Sequence, residues 1–128
     1  MSKSIVKHKS YEFSLQIIKL CAQLRNRNNY EISSQLLQSG TSIGANIEEA
    51  LAGQSRKDFF AKMAIASKEA RETNYWLRLI KDSKLLDELH IKNLIVESEE
   101  LMKILTSIVK TGNETKLLTQ NSKLRTQN

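Results

Sequence analysis

The chain has 128 residues, a net charge of +6 and a hydrophobic share of 40%, which fits one domain with a single core. It has no proline and four glycines, a composition that favours long uninterrupted helices over a sheet with many turns. A single cysteine, Cys21, excludes an internal disulfide. The first residues are charged without an apolar run behind them, and no stretch approaches the roughly 20 apolar residues of a membrane span. The expectation is therefore a soluble cytoplasmic protein with no membrane contact.

The charge is uneven: residues 1–30 carry +5, residues 31–110 carry −1 and residues 111–128 carry +2. An excess at the two ends of the chain is the pattern of a phosphate-binding footprint, with Lys3, Lys7, Lys9, Arg25 and Arg27 as its candidates. The competing explanation is that exposed lysines merely keep a small domain in solution. Aromatic residues are few and do not alternate with the basic ones, which argues against base stacking.

Helix one is expected over about 5–26. Phe13, Ile17, Leu20, Cys21 and Leu24 make one apolar stripe, and Tyr11, Leu15, Ile18 and Ala22 make a second, about half a turn away. The polar run Arg25 to Asn29 is the first connection. Helix two, 32–52, keeps Leu36, Gly40, Ile43, Ile47 and Ala50 on one face, with Gly53 in the place of a C-cap. Two glycines inside a helix cost about 1 kcal/mol each, so Gly40 and Gly44, four apart, are expected to admit a neighbouring helix closely. Gly40, Gly44, Ile43 and Ile47 are thus the helix-packing residues.

Helix three, 56–81, starts on a capping box of Ser55 and Asp58. Phe59, Met63, Ala66, Ala70, Thr73, Leu77 and Ile80 form its core stripe, and Ala61, Ile65, Glu72, Trp76 and Leu79 lie on the far side. Helix four, 87–111, begins with Asp87 as N-cap. It holds Ile91, Leu94, Ile95, Ser98, Leu101, Met102, Leu105, Ile108 and Val109 on a single face and stops at Thr111-Gly112. Residues 113–128 read as a frayed, disordered polar tail. Four such helices with short loops give an all-α, antiparallel up-down-up-down bundle over residues 1–112.

Helices one and three each have one stripe too many for such a bundle. Tyr11, Leu15, Ile18, Ala22, Ile65, Trp76 and Leu79 therefore form the expected oligomer interface, with Trp76 as its anchor. The alternative is a skewed bundle that buries parts of both stripes. No catalytic, cofactor or metal constellation is present. Neither His8 nor His90 has the Glu three residues before it that a di-iron bundle needs, and Gly40 to Gly44 lacks the Lys-Ser/Thr of a phosphate loop. Cys21 reads as a buried structural thiol, and Asn46 and Asn74 as interhelical hydrogen-bonding groups.

The run Gln35 to Ala50, with Ser39-Gly40-Thr41-Ser42-Ile43-Gly44-Ala45-Asn46-Ile47-Glu48-Glu49-Ala50 at its centre, resembles the core motif of the bacterial 23S rRNA intervening-sequence protein family. Lys57 to Leu77 carries the second half of the likeness, which extends over roughly Lys9 to Thr111. The resemblance implies a four-helix bundle assembled as a ring-like homopentamer, whose five chains would carry +30. A related branch, the accessory variability determinant proteins of diversity-generating retroelements, binds nucleic acid and a reverse transcriptase. Two functions are expected, both non-enzymatic. One is an oligomeric scaffold that contacts RNA or DNA through its basic surface. The other is a module that docks a partner protein, such as an element-encoded enzyme, without touching nucleic acid.

Overall fold

The computed structural model describes the backbone of residues 3–126 and the side chains of residues 5–122 other than Glu88. The described residues form four helices, α1 (Lys3–Asn26), α2 (Tyr30–Ala52), α3 (Arg56–Asp82) and α4 (Glu88–Thr126). Consecutive helices pack side by side and α4 returns more lightly against α1. The backbones of α1 and α3, like those of α2 and α4, do not meet among the described residues, so each pair stands on a diagonal of the bundle.

The expected core stripes are the ones that fill it. Phe13, Ile17, Leu20, Leu24, Leu36, Ile43, Ile47, Met63, Leu77, Ile80, Ile91 and Leu94 are all essentially solvent-free. Burial of each large apolar side chain is worth about 1.5–3 kcal/mol, which makes this seam the main source of stability. Phe59 on α3 and Ile95, Met102, Ile108 and Val109 on α4 are the exceptions, only partly buried at the margin. Gly40 lies against α1, where an added Cβ would sit 2.8 Å from Ile17 Cγ2. At Gly44 the nearest atom to such a Cβ is the Ser10 carbonyl oxygen, at 3.4 Å.

Several buried polar groups are paired across helices. Thr73 Oγ1 donates to Ser39 Oγ at 3.0 Å, and Asn74 Nδ2 donates to Ser98 Oγ at 3.0 Å. Asn46, by contrast, donates to the Ser42 carbonyl of its own helix at 2.8 Å, a local bond in place of the expected interhelical one. A reciprocal pair joins α1 to α2: Ser33 Oγ donates to the Cys21 carbonyl (3.1 Å) and the Cys21 thiol to the Ser33 carbonyl (3.4 Å). Burial pushes the Cys21 thiol above its ordinary pKa, against the smaller opposing effect of the Ser33 bond, so it is a poor nucleophile at neutral pH.

Ser55 caps α3, its side chain accepting from the Asp58 amide at 3.0 Å. Gly53 does cap α2, but with extended backbone (φ −63°, ψ 154°) and no left-handed turn. The left-handed positions are Asn28 (φ 64°) and Lys84 (φ 58°). Each closes a Schellman motif, through Asn29 N–H to Leu24 O (2.9 Å) after α1 and Leu85 N–H to Ile80 O (3.3 Å) after α3.

The largest departure from expectation is the length of α4. It does not stop at Thr111-Gly112 but runs on to Thr126, replacing the expected frayed tail with a helical extension. Gly112 is not a terminator: a Cβ there would come within 2.5 Å of Phe60 Cδ1, so the glycine accommodates the Phe60 ring. No proline interrupts residues 113–126, and Thr111, Thr115 and Thr119 each hydrogen-bond back to the carbonyl four residues earlier. Residues 127 and 128 lie outside the described residues.

Candidate interaction surfaces

The second stripes remain outside the core. Tyr11 (56% exposed), Leu15 and Ile18 (50%) face solvent along α1 with Ala22, and Ile65 and Leu79 do so along α3 with Ala61. These stripes lie on diagonal helices, so they form two separate faces on opposite flanks. Trp76 lies deeper than the stripe pattern implies. It is half-buried, packed against the core, and its indole Nε1–H is shielded from solvent without an acceptor among the described residues. Tyr75, which the stripe pattern passes over, is the exposed aromatic here, 47% exposed and edge-on to Trp76 with ring centroids 5.2 Å apart. Glu69 and Glu72 flank this face. Desolvation, then the nearby charge of Glu72, hold the Glu69 carboxyl above the ordinary carboxylate range, with Lys68 acting the other way.

The five basic candidates on α1 and in the turn after it do not converge. Lys9 forms a 2.8 Å ion pair with Glu100 on α4, and Arg27 donates to the Leu85 carbonyl at 3.0 Å. Lys7 and Arg25 are exposed but stand about 27 Å apart along the helix. The side chain of Lys3 lies outside the described residues.

Two concavities adjoin α4. A groove of about 840 Å³ at the end of the bundle has an apolar floor that includes Val6, Leu51, Phe59, Ile104 and Ile108, with Arg56 and Lys103 at its edge. A cleft of about 580 Å³ between α3 and α4 is lined by Arg71, Lys103 and Lys110 with the hydroxyls of Thr106 and Ser107. Neither was legible as a stripe, because each is assembled from separate helices. Among the described residues no three His, Cys, Asp or Glu side chains gather as metal ligands, and no helix is long and apolar enough to cross a membrane.

The sequence model of the 23S rRNA-intervening sequence proteins matches residues 2–107, most of the chain. The chain belongs to that family. A 1.70 Å crystal structure of a protein with unknown function from the S23 ribosomal protein family of Bacteroides thetaiotaomicron VPI-5482 is similar to it. That protein is 45% identical with a TM-score of 0.78, the alignment covering 82% of this chain and 98% of the other. No curated protein matches at a significant level. The part of α4 beyond residue 107 lies outside the family match.

Proposed function

We propose that this protein is a non-enzymatic cytoplasmic scaffold that closes into a homopentameric ring and offers a basic surface to nucleic acid. The observation that carries the reading is the pair of outward apolar faces on α1 and α3, helices that stand on a diagonal and do not touch. A two-fold dimer pairs a face with itself and would leave one of the two uncovered. Joining the α1 face of one copy to the α3 face of the next covers both, and such a head-to-tail contact gives a ring when the rotation closes. The number five comes from the family resemblance. Light scattering at micromolar concentration tests this reading: a mass near five chains of 14.6 kDa is expected, and a mass near one chain refutes it. Ile18→Glu should release folded monomers with unchanged helical circular dichroism. Trp76→Glu is the poorer probe, because Trp76 also packs on the core.

One observation favours a second reading. The apolar floor of the 840 Å³ end groove suits a docked protein segment better than a phosphate backbone. Salt separates the two, since phosphate contacts weaken steeply with ionic strength and apolar docking does not.

A further inference from the structure

We propose that the nucleic-acid contact lies at the cleft between α3 and α4, at Arg71, Lys103 and Lys110, and that it takes the phosphate backbone of a duplex. This rests on the scaffold reading and replaces α1 as the contact. The three cations line one cleft, with Glu99 as its single acid among the described residues. Lys103 and Lys110 are exposed and have no acidic partner among the described residues. They are seven residues apart, which stacks them on one side of α4 at a rise of about 10 Å. Arg71 is held over α4 by a 3.2 Å hydrogen bond from its guanidinium to Thr106 Oγ1, leaving further N–H donors to point outward. Ser107 adds a hydroxyl to the same cleft.

Charge elsewhere steers a phosphate ligand away from the opposite side of the bundle. The helix diagonal to α4, α2, contains no Lys or Arg and carries Glu31, Glu48 and Glu49. From Lys103 onward, the sequence of α4 has Lys103, Lys110, Lys116, Lys123 and Arg125 against one acid, Glu114. Complementing the helix dipole does not account for this, because that effect is confined to the last turn and Lys103 is about six turns before Thr126. If α1 and α3 are covered by neighbouring copies, the outer side of α4 is still free.

A duplex is favoured over a single strand because the rings nearest the cleft already have partners: Tyr75, one turn along α3 from Arg71, is edge-on to Trp76 at 5.2 Å and lies 5.9 Å from the Arg78 guanidinium. Phe60 packs on Gly112, lies 5.7 Å from the Arg56 guanidinium and meets Phe59 edge-on at 5.1 Å. Contacts to phosphate alone carry no sequence information, so affinity should be independent of sequence.

The test is a titration of the full chain with labelled duplex RNA and duplex DNA of mixed sequence from about 50 to 200 mM salt. Circular dichroism and light scattering confirm that each variant is folded and assembled like the wild type. Lys103→Gln with Lys110→Gln should weaken binding about tenfold or more at the low-salt end and flatten the salt slope by about two or more. Lys7→Gln with Arg25→Gln should change affinity less than about threefold, and the two duplexes should bind alike. If the α1 pair abolishes binding and the α4 pair does not, this site is wrong and the nucleic-acid reading survives. A wild-type protein that binds neither duplex at low salt overturns both. Tighter binding to a single strand than to either duplex also overturns the assignment.

Discussion

Gly40→Ala separates two effects of opposite sign. In an exposed helix the change stabilises by about 1 kcal/mol, because glycine loses more backbone entropy than alanine. At Gly40 the new methyl would lie 2.8, 3.0 and 3.3 Å from Cγ2, Cγ1 and Cβ of Ile17, where carbon atoms need about 3.5 Å or more. Ile17 is fully buried and β-branched, with one preferred rotamer in a helix, so it has no easy way to withdraw. Overpacking of this kind costs about 1–3 kcal/mol, and after the helix gain a net loss of about 1 kcal/mol is expected. Thermal melting at fixed protein concentration should show a midpoint lower by about 4 °C. Gly44→Ala is the internal control. Its nearest contacts, at 3.4–3.5 Å to oxygens of Ser10 and Ser14, are ordinary, so the helix gain should show as about 0.5–1 kcal/mol of stabilisation. In an Ile17→Ala background, itself costly by about 2–5 kcal/mol, Gly40→Ala should turn from harmful to helpful. An equal penalty for Gly40→Ala in both backgrounds would refute the close-approach argument.

Two further predictions concern polar groups. Asn74→Ala removes the buried bond to Ser98 and the acceptor of Arg78 Nε (2.9 Å), and should cost about 1–2 kcal/mol in denaturant melts. Part of that cost should disappear once Ser98 is also alanine, and additive penalties would argue against a coupled pair. Glu69 has its pKa raised in the folded state, so the fold binds its proton more readily than the unfolded chain does. The penalty for its charge is therefore full above the raised pKa and is relieved as pH falls towards the ordinary value of about 4.3. Glu69→Gln should stabilise the protein at pH 7 and change little near pH 4; the same gain at both pH values would contradict this.

What could be read from the sequence, and what could not, divides by the range of the interaction. The core face of α2 was legible because Leu36, Gly40, Ile43, Ile47 and Ala50 meet the same environment at every turn, and all five are buried. The outer faces of α1 and α3 were legible for the same reason. The end of α4 was not: Gly112 has the residue type of a cap, and only its contact with Phe60, fifty-two residues away, gives it another purpose. The depth of Trp76 was not legible, because helical periodicity gives an angle and not a depth. A helix wedged between two neighbours buries a wider arc than a single stripe suggests. Asn28 and Lys84 cap their helices in the left-handed conformation usual for glycine, so the local composition concealed both motifs. The cleft of Arg71, Lys103 and Lys110 depends on the register of α3 against α4, which no local pattern encodes.

The directions of the two apolar faces also bear on how the proposed ring would close. On α1, Ser10, Ser14 and Ile17 mark the side towards α2 and Lys9 the side towards α4. On α3, Lys62 and Thr73 mark the α2 side, and Arg71 and Asn74 the α4 side. Projected at 100° per residue, the stripe Tyr11, Leu15, Ile18 and Ala22 leans from the diagonal by about 30° towards α2. The stripe Ala61, Ile65, Trp76 and Leu79 leans the same way by a similar angle. Two faces pointing in opposite directions would propagate a straight filament. Two faces tilted towards one side turn each copy by about 60° relative to the last, a rotation that closes after five or six subunits. That tilt puts acidic α2 on the inside of the curve and α4 on the outside. The cations of the α3–α4 cleft then face outward, where an extended duplex reaches them without threading the ring.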